Sequence, residues 1–314
     1  MKTERGKVTL ALLALYFIWG STFLVIRIAL EGMPPLLIAG LRYTIAGGLL
    51  YAWARLRGTP GPTRTEWRSA AIVGTLLVAA NAAVVLAEQW VSSGVAAVAL
   101  ASLPIWIALF AGLFGKWPTG SEWIGLAVGL TGVVVLQTGG DLRASPPGAV
   151  LLVISCAAWS LGSMLGSRLR LPHGLISSGA QMLVGGVLVL VVALVRGERM
   201  TALPPAHSMA ALAYLIVVGS LIAYTSYQFL LKTVPPPLAA SYAYVNPLVA
   251  LALGSLVYGE PVTPRAVGAL VMILGGVALL ALKSTRALTA PPPARSLKPE
   301  APQKPESTPV RSPA

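Results

Sequence analysis

The chain has 314 residues, of which 56% are hydrophobic and 11% charged, with a formal net charge of +13. A soluble domain carries about 25% charged residues, so lipid is the expected solvent for most of this surface. The single cysteine, Cys156, excludes an intrachain disulfide and a cysteine metal cluster, and both histidines, His173 and His207, fall in expected loops.

A spanning helix needs about 20 apolar residues. Ten segments qualify, approximately Val8–Ala29, Pro35–Trp53, Ala70–Ala87, Gly94–Phe114, Glu122–Gln137, Gly148–Gly166, Leu175–Val195, Ala210–Leu231, Leu238–Val257 and Arg265–Leu282. Proline and glycine clusters such as Pro34-Pro35, Pro60-Gly61-Pro62 and Pro235-Pro236-Pro237 punctuate the gaps. The first apolar run follows Lys2, Arg5 and Lys7 but is too long for a signal core, so it reads as a retained helix.

With ten crossings and a cytoplasmic N-terminus, seventeen of the 23 Lys and Arg fall inside. Five fall outside (Arg27, Arg143, Arg196, Arg199 and Arg265), and Arg42 lies within the membrane. This bias fits the positive-inside rule with both termini cytoplasmic. No basic stripe alternates with aromatics, so anionic lipid explains the charge better than nucleic acid does.

Polar groups inside a bilayer are costly unless they line a cavity or find partners. In the first segment Tyr16, Trp19 and Phe23 share a face, with Ser21 and Thr22 nearby. Arg42, on the second, costs about 2.5–3.5 kcal/mol at mid-helix on insertion scales. It reads first as a snorkelling or structural arginine and second as a contact for a substrate carboxylate. On the third, Asn81 and Glu88 share a face, and Glu88 reads as interfacial before it reads as a proton-coupling group. Pro104 is expected to kink the fourth.

The sixth segment carries Cys156, Trp159 and Ser163 at helical spacing, and the eighth carries Ser220, Tyr224, Tyr227 and Gln228 on one polar, aromatic face. The ninth carries Tyr242 and Asn246, then Pro247, the counterpart of Pro104. Gly125, Gly129 and Gly132 on the fifth and Gly268, Gly275 and Gly276 on the tenth suit close helix packing, with homodimerisation the weaker reading. From about Ser284 the chain is Pro-rich and basic, and a disordered cytoplasmic tail is expected.

The halves repeat. Pro104 and Pro247 are 143 positions apart, and at that offset Ala96-Ala97 falls on Ala239-Ala240, Gly125 on Gly268 and Gly132 on Gly275. Trp19 pairs with Trp159 at 140. Five helices per half is an odd number, so the second half is expected to enter the membrane upside down. The resulting expectation is an all-α polytopic membrane protein of ten transmembrane helices in two inverted five-helix repeats. Residues 1–140 form the first repeat, 141–283 the second and 284–314 the tail.

These residues resemble the drug/metabolite transporter superfamily, in particular its ten-helix EamA-type exporters. The resemblance rests on Trp19-Gly20-Ser21-Thr22-Phe23, Arg42, Ala96 to Pro104, Ala239 to Pro247, and Gly259-Glu260 followed by Gly268 and Gly275-Gly276. Lys116 departs from it, standing where the family often has a glutamate. The resemblance implies a helix basket with a central cavity and export of amino acids, metabolites or drugs, in a bacterial inner membrane.

The expected protein is therefore a transporter of small organic solutes by alternating access, with no catalytic residue, metal or cofactor. Trp19, Ser21, Asn81, Trp159, Ser163, Tyr224, Tyr227, Gln228 and Asn246 are the expected substrate contacts. Arg42, Glu88, Pro104 and Pro247 are the expected structural or coupling residues. The rival readings are an intramembrane enzyme or a receptor for small or lipid-linked molecules. The spans carry no HExxH, GxSxG or acidic pair to favour an enzyme.

Overall fold

The computed structural model describes residues 2–87, 89–91, 96, 99–137, 145–258 and 263–289. Its elements are helices: α1 (Lys2–Leu30), α2 (Pro35–Leu56), α3 (Arg64–Ala87), α4 (Leu103–Leu113), α5 (Gly120–Gln137), α6 (Pro146–Gly166) and α7 (Leu175–Val195). There follow α8 (Ala206–Ile216), a π-helical turn (Val217–Ile222), α9 (Ala223–Thr233), α10 (Pro236–Ala239), α11 (Tyr242–Tyr258) and α12 (Pro264–Thr289). Six rods, α1, α2, α3, α6, α7 and the continuous α8–α9, are long and apolar enough to cross a membrane by length and composition. Shorter apolar helices occupy Ala99–Leu113, Gly120–Leu136 and Pro264–Leu280.

Local chemistry sets several helix ends. α3 starts six residues before the expected Ala70 because Thr63 and Glu66 form a capping box: Thr63 N donates to the Glu66 carboxylate at 2.7 Å, and Glu66 N to the Thr63 hydroxyl at 3.3 Å. Thr119 and Glu122 set the start of α5, with Thr119 N and its hydroxyl donating to the same carboxylate oxygen at 2.7 and 2.8 Å. α2 begins at Pro35, whose fixed φ suits a first turn. Its open N–H groups are met from another loop, where Glu198 accepts from Leu36 N and Leu37 N, both at 3.0 Å. At the far end α12 runs to Thr289, so the first residues expected in the tail are helical.

Two expected spans differ. Pro104 is not in mid-helix but at the start of α4, where its missing N–H leaves no bond unmade. The chain turns at Ser102, whose carbonyl receives Ile105 N and Trp106 N. Pro247 does lie inside α11, but the ninth span is interrupted earlier, at Ala240 and Ser241, between α10 and α11.

The main packing runs between halves. α2 lies on α7, α5 on α12, and α3 on α6 and α7. Glycine permits the closest of these contacts. An added Cβ at Gly40 would lie 2.8 Å from the Leu190 backbone, at Gly47 2.3 Å from Leu183 N, at Gly186 2.4 Å from Thr44 N and at Gly179 2.8 Å from Tyr51 N. As positions rise along α2 (40, 44, 47, 51), their partners on α7 fall (190, 186, 183, 179), so the helices are antiparallel. Gly40 and Gly179, like Gly47 and Gly186, are 139 positions apart. These two corresponding helices thus run in opposite directions.

α5 and α12 repeat the arrangement. Gly125 faces Gly276 and Leu279, while Gly132 faces Ile273, again antiparallel. These glycines pack within the monomer, whereas Gly268 and Gly275 have open space around them. Two further contacts come as exchanged pairs: α1 against α8 mirrors α3 against α6, and α1 against α11 mirrors α4 against α6. This is the pairing a twofold axis between the halves produces.

Candidate functional site

At the centre, four aromatic side chains meet from four helices: Trp19 of α1, Trp159 of α6, Tyr227 of α9 and Tyr242 of α11. Ring centroids are 5.6 Å apart for Trp19 and Trp159, 5.4 Å for Trp19 and Tyr227, 4.6 Å for Trp19 and Tyr242, 5.4 Å for Trp159 and Tyr227, and 5.6 Å for Tyr227 and Tyr242. All four are buried. Edge-to-face contacts of this kind add about 0.5–1.5 kcal/mol per pair beyond area burial. The polar tips are also used. Trp159 Nε1 donates to the Tyr227 hydroxyl at 3.1 Å, which shares a 2.7 Å hydrogen bond with Ser163.

Arg42 does not snorkel. It is 3% exposed, its Nε donates to the Ser220 hydroxyl at 2.7 Å, and its Nη2 donates to the Gly219 carbonyl at 2.9 Å. The same carbonyl accepts from Trp19 Nε1 at 3.1 Å. Gly219 lies in the π-helical turn, where Ala223 N–H reaches Val218 and Ser220. A π-turn inside an α-helix frequently marks a functional position.

A second polar cluster joins α7 to α9. The Gln181 Oε1 accepts from the Tyr224 hydroxyl at 3.0 Å and from Gln228 Nε2 at 3.2 Å, while Gln181 Nε2 donates to Ser177 at 3.0 Å. All four side chains are buried. Tyr43 lies between this cluster and Arg42, 6.3 Å from the Tyr224 ring, with the Arg42 guanidinium 4.8 Å from its own centroid.

The expected site residues thus separate into groups. Trp19, Trp159, Ser163 and Tyr227 are brought together. Tyr224 and Gln228 belong to the Gln181 cluster instead. Ser21 points elsewhere, bonded to Ile18 O at 2.8 Å and the Tyr214 hydroxyl at 2.9 Å. Asn81 is half-buried on α3. Asn246 is buried with an Oδ1 that no donor among the described residues meets. Glu88, Gly259 and Glu260 lie outside the described residues. Among the described residues, no three of His, Cys, Asp and Glu converge as a metal site. Gln181, Tyr43 and the Gly219 carbonyl were absent from the sequence reading. Gln181 stands 139 positions after Arg42, the offset of the α2 and α7 glycines.

Comparison with known proteins follows this two-part architecture. Residues 6–138 and 146–282 each match the EamA-like transporter family. The Escherichia coli uncharacterized inner membrane transporter YedA is 44% identical over 274 residues, covering 87% of this chain and 90% of YedA. An uncharacterized transporter of Archaeoglobus fulgidus is 26% identical, with 86% and 96% covered. A solved crystal structure shares the fold with a TM-score of 0.74 at 21% identity, covering 91% of this chain and 99% of its own. The chain belongs to the EamA-like transporter family and is an integral membrane transporter.

Proposed function

We propose that this protein exports small organic solutes across a bacterial inner membrane by alternating access, with its halves inserted in opposite senses and both termini in the cytoplasm. The observation that carries this reading is the aromatic quartet. Trp19 comes from the first half and Trp159, Tyr227 and Tyr242 from the second, so relative motion of the halves opens and closes a surface built from both. Indole and phenol faces suit aromatic or amphipathic solutes and give little to a bare inorganic ion. The antiparallel pairing of α2 with α7 and of α5 with α12 supports the inverted arrangement. Kinship with the inner membrane transporter YedA supports the choice of membrane.

In this mechanism the glycine seams are the surfaces along which the halves shift, and solute takes the place of ring-to-ring contacts in the quartet. Asn246, one helical turn from Tyr242, offers an acceptor unmet among the described residues. The test is flux in liposomes of defined orientation with a panel of aromatic and amphipathic solutes. Saturable flux that Trp19→Ala abolishes supports the reading. Chemical turnover of a solute without flux sinks it in favour of an enzyme, and binding without either favours a receptor.

A further inference from the structure

Arg42 is a buried cation with neutral partners. Its acceptors are a serine hydroxyl and a backbone carbonyl, and among the described residues no carboxylate pairs with it. A guanidinium has five N–H donors in a planar fork. The two bonds to Ser220 and Gly219 leave three of them without a described acceptor. Away from water, a charge of this kind calls for an opposite one, and intramembrane ionisable groups are usually functional for that reason.

Position narrows what that opposite charge is. Arg42 and Trp19 share the Gly219 oxygen, so the guanidinium borders the aromatic quartet. Its counterpart in the second half, 139 positions on, is Gln181, which is neutral and bonded to Tyr224, Gln228 and Ser177 in its own cluster. The twofold arrangement of the helices therefore carries one positive charge on one side only. Ser220 reinforces the site, because a hydroxyl that accepts from Arg42 still has its own proton to give.

We propose that Arg42 recognises the carboxylate of an organic solute whose apolar part lies against Trp19, which makes the transported species an aromatic or amphipathic monoanion. This deepens the transporter reading and rests on it for the word transported. The fork of Arg42 accepts a carboxylate through two parallel N–H···O bonds, a geometry that a neutral carboxamide reproduces only in part. Ser220, by holding Nε, aims the fork.

The experiment compares indole-3-acetate with indole-3-acetamide, which have nearly the same shape and differ in charge. Binding to the purified full-length protein is measured by calorimetry, and flux is measured in liposomes. We expect the wild type to prefer the acid by about tenfold or more, the usual weight of a hydrogen bond to a charged group. Arg42→Gln should bring the preference within about twofold, and Arg42→Lys, which keeps the charge and loses the fork, should retain part of it. A merely structural arginine would weaken both ligands alike and leave the ratio unchanged. Equal binding of acid and amide by the wild type, binding of neither, or an undiminished preference in Arg42→Gln overturns the proposal. Should Arg42→Gln fail to fold, the wild-type ratio and Arg42→Lys decide it. Acid-selective binding without flux upholds the anion site while removing the transport reading. Equal flux of amide and acid does the reverse.

Discussion

Trp19 and Arg42, on neighbouring helices of the first half, donate to one oxygen of the second, the Gly219 carbonyl. The indole thus does two things: it packs against three rings, and it holds the π-helical turn. Two substitutions separate these roles. Trp19→Phe keeps a ring and loses the bond, so a loss of a few-fold in flux is expected, equivalent to about 1 kcal/mol. Trp19→Ala also removes contacts to Trp159, Tyr227 and Tyr242. Its flux should fall at least about tenfold, with membrane insertion and elution as a single species unchanged. Equal flux in all three proteins would remove Trp19 from the site.

The α2–α7 seam predicts a stability effect that is independent of transport. Gly47→Ala places a Cβ 2.3 Å from Leu183 N, and Gly186→Ala places one 2.4 Å from Thr44 N. Backbone atoms cannot rotate aside, so the helices must separate, at a cost of about 1–3 kcal/mol. Each variant should melt several degrees lower in detergent. Gly268→Ala, with nothing within 4 Å, is the matched control and should melt like the wild type. A Gly47→Ala protein as stable as that control would mean that the seam is looser than described.

Sequence reading reached the helices more readily than the site. Apolar runs of about 20 residues and Pro/Gly breaks locate spans because a bilayer enforces both. The capping box at Thr63 and the Thr119–Glu122 bonds extend two of those helices for reasons the hydropathy pattern does not carry. Trp19, Trp159 and Tyr227 were legible because aromatics near mid-span are uncommon and two of them repeat. The separation of Tyr224 from Tyr227 was not legible. They sit three residues apart on one helix, but the preceding π-turn and the neighbouring α7 decide that one meets Gln181 and the other the quartet. Pro104 misled for a related reason, since proline fits mid-helix and first-turn positions equally well on sequence alone.

The Gln181 cluster should behave as a stability unit. Tyr224→Phe removes one of the two donors to Gln181 Oε1 and leaves the other, from Gln228, in place. A loss of about 1 kcal/mol is expected, seen as a lower melting point. Gln181→Leu strands both the Tyr224 hydroxyl and the Gln228 amide, and should cost more, about 1–3 kcal/mol. In the double variant Tyr224→Phe/Gln181→Leu the losses should be less than additive, because the hydroxyl that Gln181→Leu strands is gone. Strict additivity would mean that the two side chains do not interact.

Glu198 tests whether one half holds a helix of the other. Its carboxylate meets two N–H groups at the start of α2, a part that Ser, Thr, Asp or Asn more often plays within the same segment. Glu198→Ala should cost about 0.5–2 kcal/mol, the range for losing an N-cap. Glu198→Gln keeps an acceptor oxygen without the charge that favours a helix N-terminus, and should fall between the two. If Glu198→Ala melts like the wild type, the loop and α2 are not coupled.

The inverted arrangement makes a prediction that neither stability nor flux can imitate. Arg57 follows α2 and Arg199 follows α7, so the two exposed residues occupy equivalent loops of the two halves. Halves inserted in the same sense would put those loops on one side of the membrane, and opposite insertion puts them on different sides. In a Cys156→Ser background, Arg199→Cys should react with a membrane-impermeant maleimide applied to intact cells. Arg57→Cys and Ser307→Cys should react only after permeabilisation. Charge favours this result: Arg57 in the α2–α3 loop is flanked by Arg55 at the end of α2 and by Arg64 and Arg68 in the first turns of α3, and basic loops are retained in the cytoplasm. Labelling of Arg57→Cys and Arg199→Cys from the same side would contradict the antiparallel run of contacts between α2 and α7, and the alternating-access reading would lose its structural basis.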